Sequence, residues 1–179
     1  MHRTGLALCL MLAVATSSLI AQAPPIAPAS ANQQVYANLN QLMRGVLYPA
    51  ANVVFSAQVD NPGDVKPIPG HDPSMATDPL TSTFGGWVAV ENAALALAES
   101  ANLLSISGRT CANGVPVPMN DPAWATFVQK LRDASTEAYR AAQSKDQERM
   151  IENSETLSEA CAGCHRKWRD RRPPQPRCQ

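Results

Sequence analysis

Apolar residues recur at steps of three and four along four separate stretches of this 179-residue chain, and no other feature restricts its fold as tightly. That spacing puts side chains on one stripe of a helix, where they must be buried against a neighbour. The first stripe is Val35, Leu39, Leu42, Val46, Pro49 and Val53, and the second is Trp87, Val90, Ala94, Leu97, Ala101 and Leu104. The third is Trp124, Phe127, Leu131, Ala134, Ala138 and Ala141. The fourth is Met150, Ser154, Leu157, Cys161, Cys164 and Trp168. Alternating β-branched runs that would mark strands are nearly absent.

These stripes predict helices near 31–58, 85–107, 121–143 and 146–171. Pro49 has no N–H to donate and should kink the first. Asn120 or Asp121 can cap the third ahead of Pro122, Gly108 is a stop for the second, and Pro173-Pro174 ends the fourth. The Ser144-Lys145-Asp146 corner is short enough to make its two helices antiparallel neighbours. An apolar fraction of 45% with only 5% aromatics means an Ala-, Leu- and Val-rich interior, which suits close helix packing. The predicted fold class is all-α, an antiparallel four-helix bundle with two long irregular connections. One runs from Val59 to Phe84 and is rich in proline, and the other runs from Ser107 to Met119. Both should lie over the helices as cover, without forming a second domain.

The N-terminus has the build of an export leader, residues 1–23, with Arg3 ahead of an apolar run too short to span a bilayer. Ala21-Gln22-Ala23 fits the cleavage rule, and Ala27-Pro28-Ala29 is a second candidate. Residues 24–30 read as a disordered tail, 31–172 as one domain, and 173–179 as a C-terminal tail. Localisation is therefore periplasmic or secreted, with no membrane span once the leader is removed. Fifteen basic residues balance fifteen acidic ones, which excludes the strong positive charge a nucleic-acid partner requires.

Cys161-Ala162-Gly163-Cys164-His165 carries the chemistry, because this is the attachment pattern of a c-type haem. Two thiols three residues apart share a helical face and can each add to one vinyl group of a porphyrin, while the next residue offers an imidazole nitrogen to the iron. One covalent haem c is the cofactor this implies, with His165 as the metal ligand. A zinc site would need four ligands, completed by Cys111 or Cys178, and neither belongs to a second pair of metal-ligand spacing. A redox dithiol would need alternating strands and helices, which the chain lacks.

The motif near the end of the last of four helices, followed by Trp168-Arg169, resembles the cytochrome c′ family, whose members carry Cys-x-x-Cys-His-x-x-Tyr-Arg. Trp168 stands where tyrosine is usual and Arg169 matches, over a resemblance spanning Ala31 to Arg172. The resemblance implies a five-coordinate, often high-spin iron, a buried distal face and frequent homodimers. It also implies electron transfer to a periplasmic redox partner, or binding of a diatomic gas, nitric oxide or carbon monoxide. By the same resemblance Met43 falls where the family keeps its distal side chain. Both long connections exceed the usual family loops.

Met43 is a candidate sixth ligand or a distal-wall contact, and Trp168 is expected to pack beside the ring or among the helices. His71 lies in the Pro-rich connection and is the other imidazole beyond the leader. Arg44 and Tyr48 can approach a propionate. The basic run Arg166, Lys167, Arg169, Arg171 and Arg172 can pair with propionates or complement a helix C-terminus. Cys111 and Cys178 are left over, and whether they pair is open. The expected function is a binding or electron-transfer haem protein and not an enzyme. The alternative is a haem enzyme of peroxidase or nitric-oxide-consuming type, which would need distal acid–base groups beyond Tyr48, Arg44 and Asn52.

Overall fold

Asn38 starts the first helix with a reciprocal cap. Its side chain accepts from the Gln41 N–H at 2.9 Å, and the Gln41 side chain accepts from the Asn38 N–H at 3.0 Å. Helix α1 then comprises Leu39–Leu42, a π turn over Met43–Leu47, and Tyr48–Ser56. In the π turn the Tyr48 N–H reaches back five residues to the Met43 carbonyl. This register puts Pro49 in the first turn of the segment that follows, where its missing N–H is tolerated. The inserted residue also slips the buried stripe by one. Leu39 and Leu42 are buried as expected, but from the end of the π turn onward Leu47 (7% exposed) and Val54 (0%) take the places expected of Val46 (36%) and Val53.

The computed structural model describes residues 34–172 and 177–178. The expected leader at 1–23, the tail at 24–30 and most of the tail at 173–179, with Pro173-Pro174, lie outside the described residues. The first helix begins at Leu39 and not near 31, since 34–38 are non-helical and Asn38 is the cap.

Helix α2 spans Trp87–Leu103. Gly86 before it has φ +58°, and a Cβ there would stand 2.8 Å from the Pro62 carbonyl oxygen, so the chain needs glycine at this close approach. The helix ends four residues before the expected 107. Arg109 donates to the freed Leu103 carbonyl at 3.2 Å and Trp124 Nε1 to that of Leu104 at 3.1 Å, so side chains cap the helix and Gly108 belongs to the turn beyond. Helix α3, Pro122–Ser144, is capped by Asp121, which accepts the Ala123 N–H at 3.0 Å. Lys145 turns the corner with φ +55°. Helix α4, Gln147–Cys164, is capped by Asp146 and runs on into a second π turn, His165–Arg169, closed by the Asp170 N–H on the His165 carbonyl at 2.9 Å.

α2 packs on α3, α3 on α4, and α1 on α2, while α1 meets α4 sparsely, through Tyr48–Ser56. The expected stripe of α2 is buried throughout, from Trp87 to Leu104. Among the described residues there is no strand, and the nearest approach is a single bridge between Thr110 and Pro116. Both long connections pack down on the helices through buried Pro62, Leu80, Cys111 and Val117. Among the described residues no helix is long and apolar enough to cross a membrane.

Candidate functional site

Sparse contact between α1 and α4 leaves a cavity of about 870 Å³ beside them, within the range of small-molecule sites. Both π turns form its walls. Met43, Arg44 and Leu47 line it from α1, and His165, Trp168 and Arg169 from the end of α4. π turns widen a helix and re-aim the side chains around them, and they recur at functional sites for that reason. Cys161 and Cys164 complete the α4 wall, so all six residues singled out in the sequence border one space. Leu97, Val128 and Leu131 give much of the rest an apolar surface.

The two motif cysteines are free, half-buried thiols. Burial raises both; the Cys164 thiol is pushed up to about 11, with the neighbouring Cys161 adding to the effect and Arg169 opposing it. His165 moves the other way, because burial and then the Arg169 charge disfavour the imidazolium, against a smaller pull from Asp170. The site therefore presents neutral thiols beside a neutral imidazole, and the neutral ring is the form that ligates a metal.

An aromatic cluster stiffens the α4 wall. Trp168 is buried against Trp124, ring centroids 5.1 Å apart, and meets the Phe127 ring edge-on at 5.5 Å. Gly163 lies directly against Phe127, so the small residue inside the motif has a steric role. Phe127 and Trp124 stood on the expected α3 stripe, but nothing in their spacing distinguishes a core aromatic from a cavity wall.

Most of the basic run turns away. Arg166 pairs with Glu159 at 3.1 Å, Lys167 with Asp121 at 3.1 Å, and Arg171 donates to the Lys167 carbonyl. Of the run only Arg169 lines the cavity, with Asp170 bound to its guanidinium at 2.6 and 3.0 Å. His71 is exposed and is not among the lining residues, nor is Asn52, while Tyr48 and Arg44 are. Cys111 and Cys178 form a disulfide, Cα atoms 5.0 Å apart, which removes both thiols that would have completed a zinc set. Among the described residues no three His, Cys, Asp or Glu side chains converge as a protein-built metal site requires. A porphyrin iron needs only one axial side chain from the protein. Arg177, beside Cys178, also lines the cavity and carries no motif that would have marked it.

No family, curated protein or solved structure matches the chain.

Proposed function

We propose that this protein is an exported c-type cytochrome of cytochrome c′-like build, holding one covalent haem in the cavity between α1 and α4. The observation that carries the reading is the meeting of Cys161, Cys164 and His165 on one apolar cavity, with Met43 on the wall that α1 contributes. The residues present fit the group: two unpaired thiols for the vinyl groups, a neutral imidazole for the iron, flat aromatic walls, and guanidinium groups for carboxylates. In each attachment one S–H adds across one vinyl bond, sulfur to one carbon and hydrogen to the other, so no oxidant is consumed.

Bound there, the haem supplies a one-electron couple and an iron face open to small neutral ligands. The chain's part is to hold and exclude. His165 would hold the iron, and it lies on the cavity wall at the start of the π turn. Trp168, wedged against Trp124 and Phe127, keeps that wall rigid. The α1 wall brings Leu39, Leu47 and Ala51 beside Met43, with Asn40, Arg44 and Tyr48 as its polar groups and neither imidazole nor carboxylate, which favours small diatomic gases or simple electron transfer over acid–base catalysis.

Two finer parts of the reading have their own support. An antiparallel four-helix bundle is supported by the neighbour contacts of α1 with α2, α2 with α3, and α3 with α4, and by the tight corner at Lys145. Export to the periplasm or beyond is supported by the leader-like N-terminal sequence and by the Cys111–Cys178 disulfide, which persists in oxidising compartments.

The test is acid-acetone extraction of the denatured, matured protein. The pigment should stay with the polypeptide, Cys161→Ala and Cys164→Ala should each weaken attachment, and His165→Ala should keep attached haem while losing its axial ligand. Free extraction of the pigment from wild-type protein would overturn the reading.

A further inference from the structure

The haem reading leaves one set of contacts without a role, those that fix residues 177 and 178. Cys178 is bonded to Cys111, which is 1% exposed in the second connection. The Cys178 N–H donates to the Trp168 carbonyl at 3.0 Å, and Asn113 Nδ2 donates to the Arg177 carbonyl at 2.7 Å. Three attachments thus hold residues 177 and 178, and Arg177 lies on the cavity wall.

The charge on that wall is lopsided. Arg44, Arg169 and Arg177 line the cavity against one carboxylate, Asp170, so three positive charges less one negative leave a surplus of two. Asp170 is taken by Arg169 through both oxygens. Arg44 and Arg177 are in no ion pair among the described residues. Arg177 is near enough for its charge to act on the Asp170 carboxyl but makes no ion pair with it, and an apolar cavity bordered by two such guanidinium groups suits a flat apolar body that carries two carboxylates, as haem does in its two propionates.

We propose that Arg177, positioned by the Cys111–Cys178 disulfide, is an anion-binding residue of the cavity that with Arg44 holds the haem propionates, an assignment that rests on the haem reading. The disulfide is then a positioning device for a binding residue as well as a staple. Two of the three attachments, the disulfide and the Asn113 hydrogen bond, come from the connection between α2 and α3, and the third comes from Trp168 in the π turn that ends α4.

The test is the reduction potential of the covalently loaded protein, measured for wild type, Arg177→Gln, Arg177→Lys, the pair Cys111→Ser with Cys178→Ser, and the pair combined with Arg177→Gln. Removing a cation beside the propionates leaves more negative charge near the iron and favours the ferric state, so Arg177→Gln should lower the potential. Arg177→Lys keeps the charge and should restore most of it. The cysteine pair should lower it similarly, and adding Arg177→Gln to that pair should change nothing further, because the guanidinium has already been released. Circular dichroism should report unchanged helix in the single variants. An unshifted potential in loaded Arg177→Gln, or effects of the cysteine pair and Arg177→Gln that simply add, would overturn the assignment. If the cysteine pair does not accumulate, the Gln and Lys variants decide alone. Wild-type protein that never attaches haem overturns the haem reading and this assignment together, whereas loaded protein with an unshifted potential removes only Arg177.

Discussion

Gly163 lies so close to the Phe127 ring that a Cβ on it would stand 2.6 Å from Phe127 Cε1. The ring has little room to yield. It meets Trp168 edge-on, and Trp168 in turn is packed on Trp124, so the ring retreats either into that cluster or into the cavity. The Cys-x-x-Cys-His motif is thus coupled to α3 through the one residue in it that has no side chain.

Gly163→Ala should separate the two effects. Overpacking costs about 1–3 kcal/mol, while alanine gains about 1 kcal/mol over glycine inside a helix. The net loss in urea unfolding should therefore lie between nothing and about 2 kcal/mol. Haem content per polypeptide should fall more clearly, because Phe127 displaced into the cavity takes the volume the macrocycle needs. Wild-type haem content in this variant would mean that the ring moves aside freely.

At the far end of the same wall, Asp121 caps α3 and pairs with Lys167 of the π turn. The Ala123 N–H, then Lys167, hold its carboxyl below the ordinary 3.8. A depressed carboxyl contributes stability that is present above its unfolded value and lost as pH falls through the folded one. Asp121→Asn keeps a good cap but loses the charge. It should be less stable than wild type at pH 7, and the difference should shrink as pH falls through the lowered folded value. A difference that persists in acid would assign the effect to the cap and not to the ion pair.

The Cys111–Cys178 link closes a segment with a sequence separation of 67 residues. Chain-entropy arguments give a loop of this size about 4 kcal/mol, less whatever structure the reduced unfolded chain retains. Cys111→Ser with Cys178→Ser should lower the thermal midpoint accordingly, and a dithiol reductant should do the same to the wild type but not to the double variant. Equal midpoints with and without reductant in the wild type would show that the bond contributes little.

How legible the molecule is from its sequence differs from element to element. The α2 stripe, Trp87 to Leu104, reads directly because nothing interrupts its period. The α1 stripe reads correctly only as far as Leu42, because a π turn adds a residue that no spacing rule anticipates, and burial then passes from Val46 to Leu47 and from Val53 to Val54. Pro49 did signal a disturbance there, and the helix absorbs it as a register change ahead of the proline. In the site, the meeting of Cys161, Cys164, His165 and Met43 at one cavity was legible because the motif and the helix position mark them. Arg177 was not. Its place depends on a disulfide across 67 positions, and pairing at that range is a matter of three-dimensional distance.

On the haem reading, the iron's second axial position is either open or taken by Met43. Of the residues lining the cavity only His165 carries an imidazole, so Met43 is the one side chain of the α1 wall with a soft donor atom for iron. Met43 is half-buried in the π turn, with Leu39 and Leu47 beside it, and a thioether among such neighbours packs well without ligating anything. We expect the open-site outcome. Ferric protein should be largely high spin, ferrous protein should bind carbon monoxide without displacing a protein ligand, and Met43→Ala should leave the ferric far-red spectrum unchanged. A thioether-to-iron charge-transfer band in the wild type that disappears in Met43→Ala would reverse this: α1 would then close the site, and the protein would be a six-coordinate electron carrier whose gas binding is limited by release of Met43.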